Sequence, residues 1–358
     1  MKELKPLERI RIRADEGEIR RFFARLDRET EHFAGFRILL GRHVVLLRFP
    51  DEETAGRYRG FLEMVYTEQE GEPDGTITAW QGKMEDYLNF FGSSGGAPCV
   101  EGTGENGSIR FLKWPDRILA RTGNRQYIIM GGPVDEYVPP QAPFHWEFHN
   151  FAMTHGYALL HSGAVGLNGE GVMISAVGGG GKSTTVLSCL LDGMDYVSDD
   201  YLILDPGTVT AYPLYNSGIL NEDSLRRLPE LEPLVYGNVL RRPDRYVINL
   251  SRYRDRFCRG MKIRAVVFPH ILPDGGPERE AVIRKDPRHT AKTQMLVSSA
   301  RNNGFGVLQD QNALHSLFGA VSGLPSYELL LSPDRQSNCR AVRSLLHDLS
   351  ERKPEKEE

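Results

Sequence analysis

Residues 176 to 185, AVGGGGKSTT, lie between an apolar run, GVMIS at 171–175, and a segment with helical spacing, VLSCLLDG at 186–193. In a strand that enters a glycine-rich turn and leaves as a helix, small residues let consecutive backbone N–H groups point at one spot. The helix adds the positive end of its dipole. The segment therefore predicts a loop that cradles phosphates. Ala176, Gly178, Gly179, Gly180 and Gly181 supply the cradle, and Lys182 reaches the terminal phosphates of a nucleotide. Ser183 gives its hydroxyl to magnesium and Thr184 bonds the α-phosphate. The pattern departs from GxxxxGK[ST] at its first position, where Ala176 is small enough to serve while φ stays negative. A flexible linker that contains GKS is the bland alternative, and the strand before and helix after argue against it.

Downstream, MDYVSDDYLILD at 194–205 places Asp199 and Asp200 at the end of a short strand, expected beside the loop strand in a parallel sheet. Two adjacent carboxylates allow one to hold the metal while the other takes the proton of an attacking hydroxyl. A solvated turn would explain them without chemistry. Upstream, His161 sits in LLHSGAV, read as a strand in apolar surroundings. A lone histidine there is more often a core residue than a catalytic one.

The stretch HSGAVGLNGEGVMISAVGGGGKSTTVLSCLLDGMDYVSDD, His161 to Asp200, resembles the catalytic core of the HPr kinase/phosphorylase family. That resemblance implies an α/β fold with a phosphate-loop core of the HPr kinase/PEP carboxykinase-like type, preceded by an α+β N-terminal region. It also implies Asp199 as base towards a substrate serine, Lys182 as phosphate ligand, Ser183 and Asp200 on the metal side, and His161 assisting Asp199. The likeness is strong over residues 155 to 205 and weaker at KIRAVVFPHIL. The chain lacks the family's later Ile-Glu-Xaa-Arg-Gly type signature. It is thus similar to divergent members, among them kinases that phosphorylate peptide precursors, more than to enzymes acting on HPr itself.

The whole chain has 358 residues, 40% hydrophobic and 26% charged, enough to bury a sizeable core in one large or two modest domains. A boundary is expected near Pro140. It separates an α+β region, 1–140, suited to substrate recognition, from the catalytic domain, 141–350, and a disordered charged tail, 351–358. Helical spacing occurs over residues 17 to 29 and in ETAGRYRGFLEMVY, WEFHNFAMTHG, NEDSLRRLPELEPL (capped by Asn221 or Asp223), DPRHTAKTQMLVSSARNN and HSLFGAVSG. Strands are expected at HVVLLRF, TITAW, SIRFLKW, QYIIMGG and KIRAVVFPHIL. Cys99, Cys189, Cys258 and Cys339 have no CxxC spacing and read as reduced thiols. The charged start, MKELKPLERIRIRADEGEIRR, and the lack of a bilayer-length apolar run predict a cytoplasmic protein with no membrane partner.

A net charge of -4 argues against wholesale nucleic-acid binding. One stretch runs the other way. Residues 241–264 hold Arg241, Arg242, Arg245, Arg252, Arg254, Arg256, Arg259, Lys262 and Arg264 against Asp244 and Asp255. It could be a solvated face, neutralise a γ-phosphate, dock an acidic peptide, or stack nucleic-acid bases on Tyr246, Tyr253 and Phe257. Phosphate or acidic-substrate contact is favoured, because phosphoryl transfer needs more positive charge than one lysine.

The sequence thus predicts an ATP- and Mg2+-dependent kinase that transfers a γ-phosphoryl group to a hydroxyl, foremost a serine of a peptide or protein. A small-metabolite kinase is the nearest rival. From another class, a nucleotide-binding scaffold would need Lys182 and Ser183 but no second carboxylate. The sequence is equally compatible with a monomer and a homo-oligomer.

Overall fold

Asp15 starts the first helix, α1 (Glu16–Glu29), with a reciprocal cap: its carboxylate accepts from the Glu18 amide at 2.7 Å, and Glu18 accepts from the Asp15 amide at 2.9 Å. Ile19, Phe22, Phe23 and Leu26 recur at helical spacing and are buried against Trp80, Tyr87, Ile109, Ile118, Tyr127 and Ile129. At about 1.5–3 kcal/mol for each large side chain taken out of water, this stripe fixes the helix to its sheet. The computed structural model describes residues 15–88, 101–104, 107–113, 116–139, 142–176, 179–239, 242–272, 280–286 and 311–351. Gly178, Arg241, the boundary at Pro140, the tail beyond Glu351 and nearly all of the helix expected at DPRHTAKTQMLVSSARNN lie outside the described residues. Glu351 itself ends a helix rather than beginning the tail.

The chain is a mixed α/β protein with several sheets, and it divides into two units. The first comprises Met1–Leu39, His43–Gly60 and Tyr66–Pro143. Its strands are β1 (Ala34–Leu40), β2 (His43–Phe49), β3 (Tyr66–Thr67), β4 (Gly75–Gln81), β5 (Glu101–Gly104), β6 (Gly107–Lys113), β7 (Asp116–Thr122) and β8 (Arg125–Met130). They form one sheet in the order β3-β1-β2-β4-β8-β7-β6-β5. β4 is parallel to β2 and β8, whereas β5 to β8 form an antiparallel meander. Three helices join α1: α2 (Glu52–Phe61), α3 (Met84–Leu88) and α4 (Val134–Tyr137). The helix expected through Tyr66 stops at Phe61; Glu63–Val65 form a 3₁₀ turn that leads into β3.

The second unit comprises Leu40–Arg42, Phe61–Val65 and Phe144–Glu358. After α5 (His145–Thr154) come β9 (Ala158–Leu160), β10 (Gly163–Leu167), β11 (Glu170–Ile174), α6 (Lys182–Leu191), β12 (Asp195–Ser198), β13 (Leu202–Asp205) and β14 (Thr210–Tyr212). A separate antiparallel sheet, ordered β15-β17-β16, is built from β15 (Ser217–Asn221), β16 (Val235–Val239) and β17 (Arg242–Asn249), with α7 (Glu222–Arg227) following β15. The long β18 (Met261–Ile271) returns to the main sheet, followed by β19 (Val282–Lys285), the helix Gln311–Ser322, β20 (Ser326–Leu331) and the C-terminal helix Arg335–Glu351.

The main sheet runs β12-β10-β11-β18-β14-β13-β9, with β20 pairing the later half of β18 and β19 pairing β20. β11, β18 and β20 are mutually parallel. β10 opposes both β11 and β12, so β12 points the same way as those three. Side chains alternate between two cores. Val165, Val172, Ile174, Ala265 and Val267 pack with α6 and the C-terminal helix, while Ala164, Met173, Val266 and Phe268 pack with Leu317 and Val321. The sheet corrects one expectation: β12 lies beside β10, not beside the loop strand β11. The tight turn at Asn168 and Gly169 sets β11 on one edge of β10, and β18 takes the other edge of β11, which leaves β12 the far side of β10. No helix among the described residues is long and apolar enough to cross a membrane.

Candidate active site

Four strands of like direction, β12, β11, β18 and β20, end on one edge of the main sheet, and β10 begins there. Ligands of open parallel sheets bind at such carboxyl ends. A cleft of about 840 Å³ opens at this edge, lined by Ala176, Gly179, Gly180, Gly181, Lys182, Ser183 and Thr184 after β11, and by His161 and Asp200. Gly181, at the N-cap of α6, has φ 91°, and a Cβ there would come 2.5 Å from Leu331 Cδ1. The left-handed backbone calls for glycine, and a methyl there would in addition have to displace the Leu331 side-chain tip. No side chain caps α6 and its first turn holds no acidic residue, so its orphan N–H groups and dipole are left for a ligand.

At the centre, the Lys182 side chain is only 9% exposed. It donates to the Asp199 backbone carbonyl and, at 3.4 Å, to Asp200 Oδ1. The same Asp200 oxygen lies 2.9 Å from His161 Nε2. Asp199 points elsewhere: it is 0% exposed, and its carboxylate accepts from the Tyr196 hydroxyl at 3.3 Å and the Ile219 amide at 3.4 Å. Burial pushes the Asp199 carboxyl up to about 6 against the pull of Lys182. Burial also acts on Asp200, but the Lys182 charge and the His161 hydrogen bond outweigh it and hold that carboxyl well below the usual range.

The expected pairing of His161 with Asp199 is therefore corrected to a pairing with Asp200. β12 ends at Ser198, whose hydroxyl donates to the Tyr201 carbonyl at 2.6 Å and accepts from the Asp200 amide at 3.1 Å. That turn places Asp200 in the cleft lining, and Asp199 is not part of it. His161 is not on a strand either. It lies in the break between β9 and β10, its side chain 46% exposed, with its ring 5.2 Å from that of Tyr201. Tyr201 also lies tilted against His145, with ring centres 4.1 Å apart. The Thr184 hydroxyl donates to Ser224 Oγ at 2.9 Å, and the Ser224 amide donates to Asn221, the cap of α7.

Among the described residues no three His, Cys, Asp or Glu side chains cluster to hold a metal by themselves. Ser183 and Asp200 nevertheless face the same cleft. The Ser183 hydroxyl suits magnesium, which keeps several waters and shares phosphate oxygens, and leaves the Asp200 carboxylate open for other chemistry in the cleft.

The cleft also holds residues that sequence reasoning passed over. Arg227, Ser224, Arg335, Ile271 and Leu331 line it, and Ile271 is 63% exposed although apolar. Their only signal in the sequence was adjacency to strand or helix ends, which gains meaning once the topology is known. The basic stretch divides. Arg242 and Arg245, on β17, line the cleft, whereas Arg254 pairs with Glu63 at 3.2 Å, Arg264 with Glu170 at 3.9 Å, and Lys262 donates to the Thr208 carbonyl.

No family model and no curated protein matches the chain. Among solved structures, the HPr(Ser) kinase/phosphatase from Coxiella burnetii is similar over 54% of this chain and 98% of that chain, at 12% identity and a TM-score of 0.30.

Proposed function

We propose that the chain is an ATP- and magnesium-dependent kinase, with a phosphate-loop core, that moves the γ-phosphoryl group to a serine hydroxyl of a peptide or protein. The observation that supports this is the meeting of Lys182, Asp200 and His161 at the uncapped start of α6 in one cleft. Glycine-rich backbone and the first turn of α6 receive the phosphates. Lys182 leaves the Asp199 carbonyl to reach the terminal phosphates. Bound at Ser183 and the phosphates, magnesium would offset the charge on the β- and γ-oxygens.

Asp200 is the base. A base has to touch the proton it takes, and geometry ranks before pKa: Asp199 is wholly buried, while Asp200 faces the cleft with one oxygen held by His161. As the hydroxyl oxygen bonds to the γ-phosphorus, the bond to the bridging oxygen of ADP breaks and the hydroxyl proton passes to Asp200. Withdrawal of Lys182 towards the phosphates removes one of the charges that depress this carboxyl, which raises its basicity when the nucleotide is in place. His161 orients Asp200 and shares the proton's charge.

Asp200→Asn tests the assignment. Transfer to a serine peptide at saturating Mg-ATP should fall about 10²- to 10⁴-fold while nucleotide affinity by calorimetry stays within a few-fold. Equal transfer by wild type and variant would remove Asp200 as base. A wild type that binds Mg-ATP yet transfers phosphate neither to a hydroxyl nor to water would be a nucleotide-binding scaffold.

A further inference from the structure

Arg227 in the last turn of α7 and Arg242 and Arg245 on β17 reach the cleft that holds Lys182 and Asp200. Their placement is tied to the start of α6. The Ile219 amide on β15 bonds Asp199, and two residues later Asn221 stands opposite Arg245 in the β15·β17 register. Asn221 caps α7, whose Ser224 takes the Thr184 hydrogen bond from α6. Shifts of this arginine wall away from the first turn of α6 are thereby opposed by three hydrogen bonds and a strand pair.

Asp223 of α7 also lines the cleft, but Arg226 pairs it at 3.2 Å, and the wall stays under-neutralised. Arg242 and Arg245 share one carboxylate, Asp244, at 3.3 and 3.7 Å, itself 62% exposed, and no carboxylate among the described residues pairs with Arg227. Like charges held together without counter-ions repel, and a bound anion relieves that repulsion. The nucleotide's phosphates already have Lys182 and the α6 backbone. Guanidinium groups in a row suit planar, two-toothed recognition of carboxylates.

We propose that Arg227, Arg242 and Arg245 form an acceptor subsite for an acidic peptide, binding carboxylates that flank the serine to be phosphorylated. This rests on the kinase reading above. The nucleotide then occupies the Lys182 and α6 side of the cleft and the peptide the arginine side, and the arginines choose the acceptor without contributing to nucleotide affinity.

The experiment uses the full chain, Mg-ATP, a serine peptide flanked by glutamates, and its twin with glutamines. The acidic peptide should show a KM lower by about tenfold or more, the usual scale of a charge-assisted hydrogen bond. Arg242→Gln and Arg245→Gln should each raise that KM about tenfold, leave the glutamine twin and the Mg-ATP dissociation constant within about twofold, and leave kcat near wild type. Arg264→Gln, in the same basic stretch but outside the cleft lining and paired with Glu170, serves as the control that changes none of these. Where neither peptide is turned over, fluorescence anisotropy of the labelled peptides gives the same comparison. Equal KM or equal binding of the two peptides overturns the proposal, and so does a loss of Mg-ATP affinity in the arginine variants. Slow phosphate release from ATP without peptide separates the two levels: its presence with equal peptide binding sinks only the acceptor subsite, and its absence together with absent Mg-ATP binding sinks the kinase reading.

Discussion

Asp199 and Asp200 are neighbours in sequence and opposites in environment, and this yields separate expectations for each. The Asp199 carboxyl is raised from its usual 3.8 to about 6 by burial. Between those values the folded chain holds a proton that the unfolded chain has released. Burial of Asp199 therefore costs most above pH 6, on the order of 3 kcal/mol, and the cost fades as pH falls towards 3.8. Asp199→Asn should be more favourable relative to wild type at pH 7.5 than at pH 4.5 in urea titrations; a difference independent of pH would show that Asp199 titrates normally. Lys182→Ala removes the ammonium hydrogen-bonded to this pair and should both abolish nucleotide affinity and lower stability by about 3 kcal/mol or more, because a buried carboxylate loses its counter-charge. Unchanged calorimetric affinity for Mg-ATP in a folded Lys182→Ala chain would refute the phosphate role. His161→Ala leaves Asp200 in place and should reduce transfer less than Asp200→Asn does, a ranking that initial rates decide.

At the level of elements, the start of α6 depends on one glycine. Gly181→Ala imposes a left-handed strain of about 1–2 kcal/mol and drives a methyl into Leu331. The Leu331 tip can yield but the φ strain cannot, so Mg-ATP affinity should fall about tenfold or more, and Leu331→Ala in the same chain should restore little of it. Wild-type affinity in Gly181→Ala would show that the loop backbone does not receive the phosphates. This loop, its strand and its helix were legible because glycine punctuation and a change of hydrophobic period are local signals. α7 with its Asn221 cap and β18 were legible for the same reason. The position of β12 was not, since pairing across β10 is a choice between distant partners that all look equally apolar. Nor was the facing of Asp199 and Asp200, which depends on the hydrogen bonds of Ser198 in the turn. Arg227 carried no signal, because its company with Arg242 and Arg245 arises only when β15 pairs with β17.

On the scale of the whole chain, the second unit is discontinuous: Leu40–Arg42 and Phe61–Val65 belong to it although they precede residue 144. Arg42 donates to the Tyr212 hydroxyl at 3.0 Å, the Asn216 amide donates to the Phe61 carbonyl at 3.4 Å, and the Phe61 ring meets Tyr236 edge-on at 4.9 Å. A fragment beginning at Phe144 lacks all three. Its α6 amides should exchange with deuterium faster than those of the full chain, and matched protection would show that the early segments are dispensable. The same discontinuity has a consequence during translation. Phe61, Leu62 and Val65 are buried in the finished protein, yet Arg254, which pairs with Glu63, leaves the ribosome roughly ten to forty seconds after them at ordinary elongation rates. Over that interval a greasy segment of the nascent chain waits for partners not yet synthesised, which makes it a natural perch for a holding chaperone.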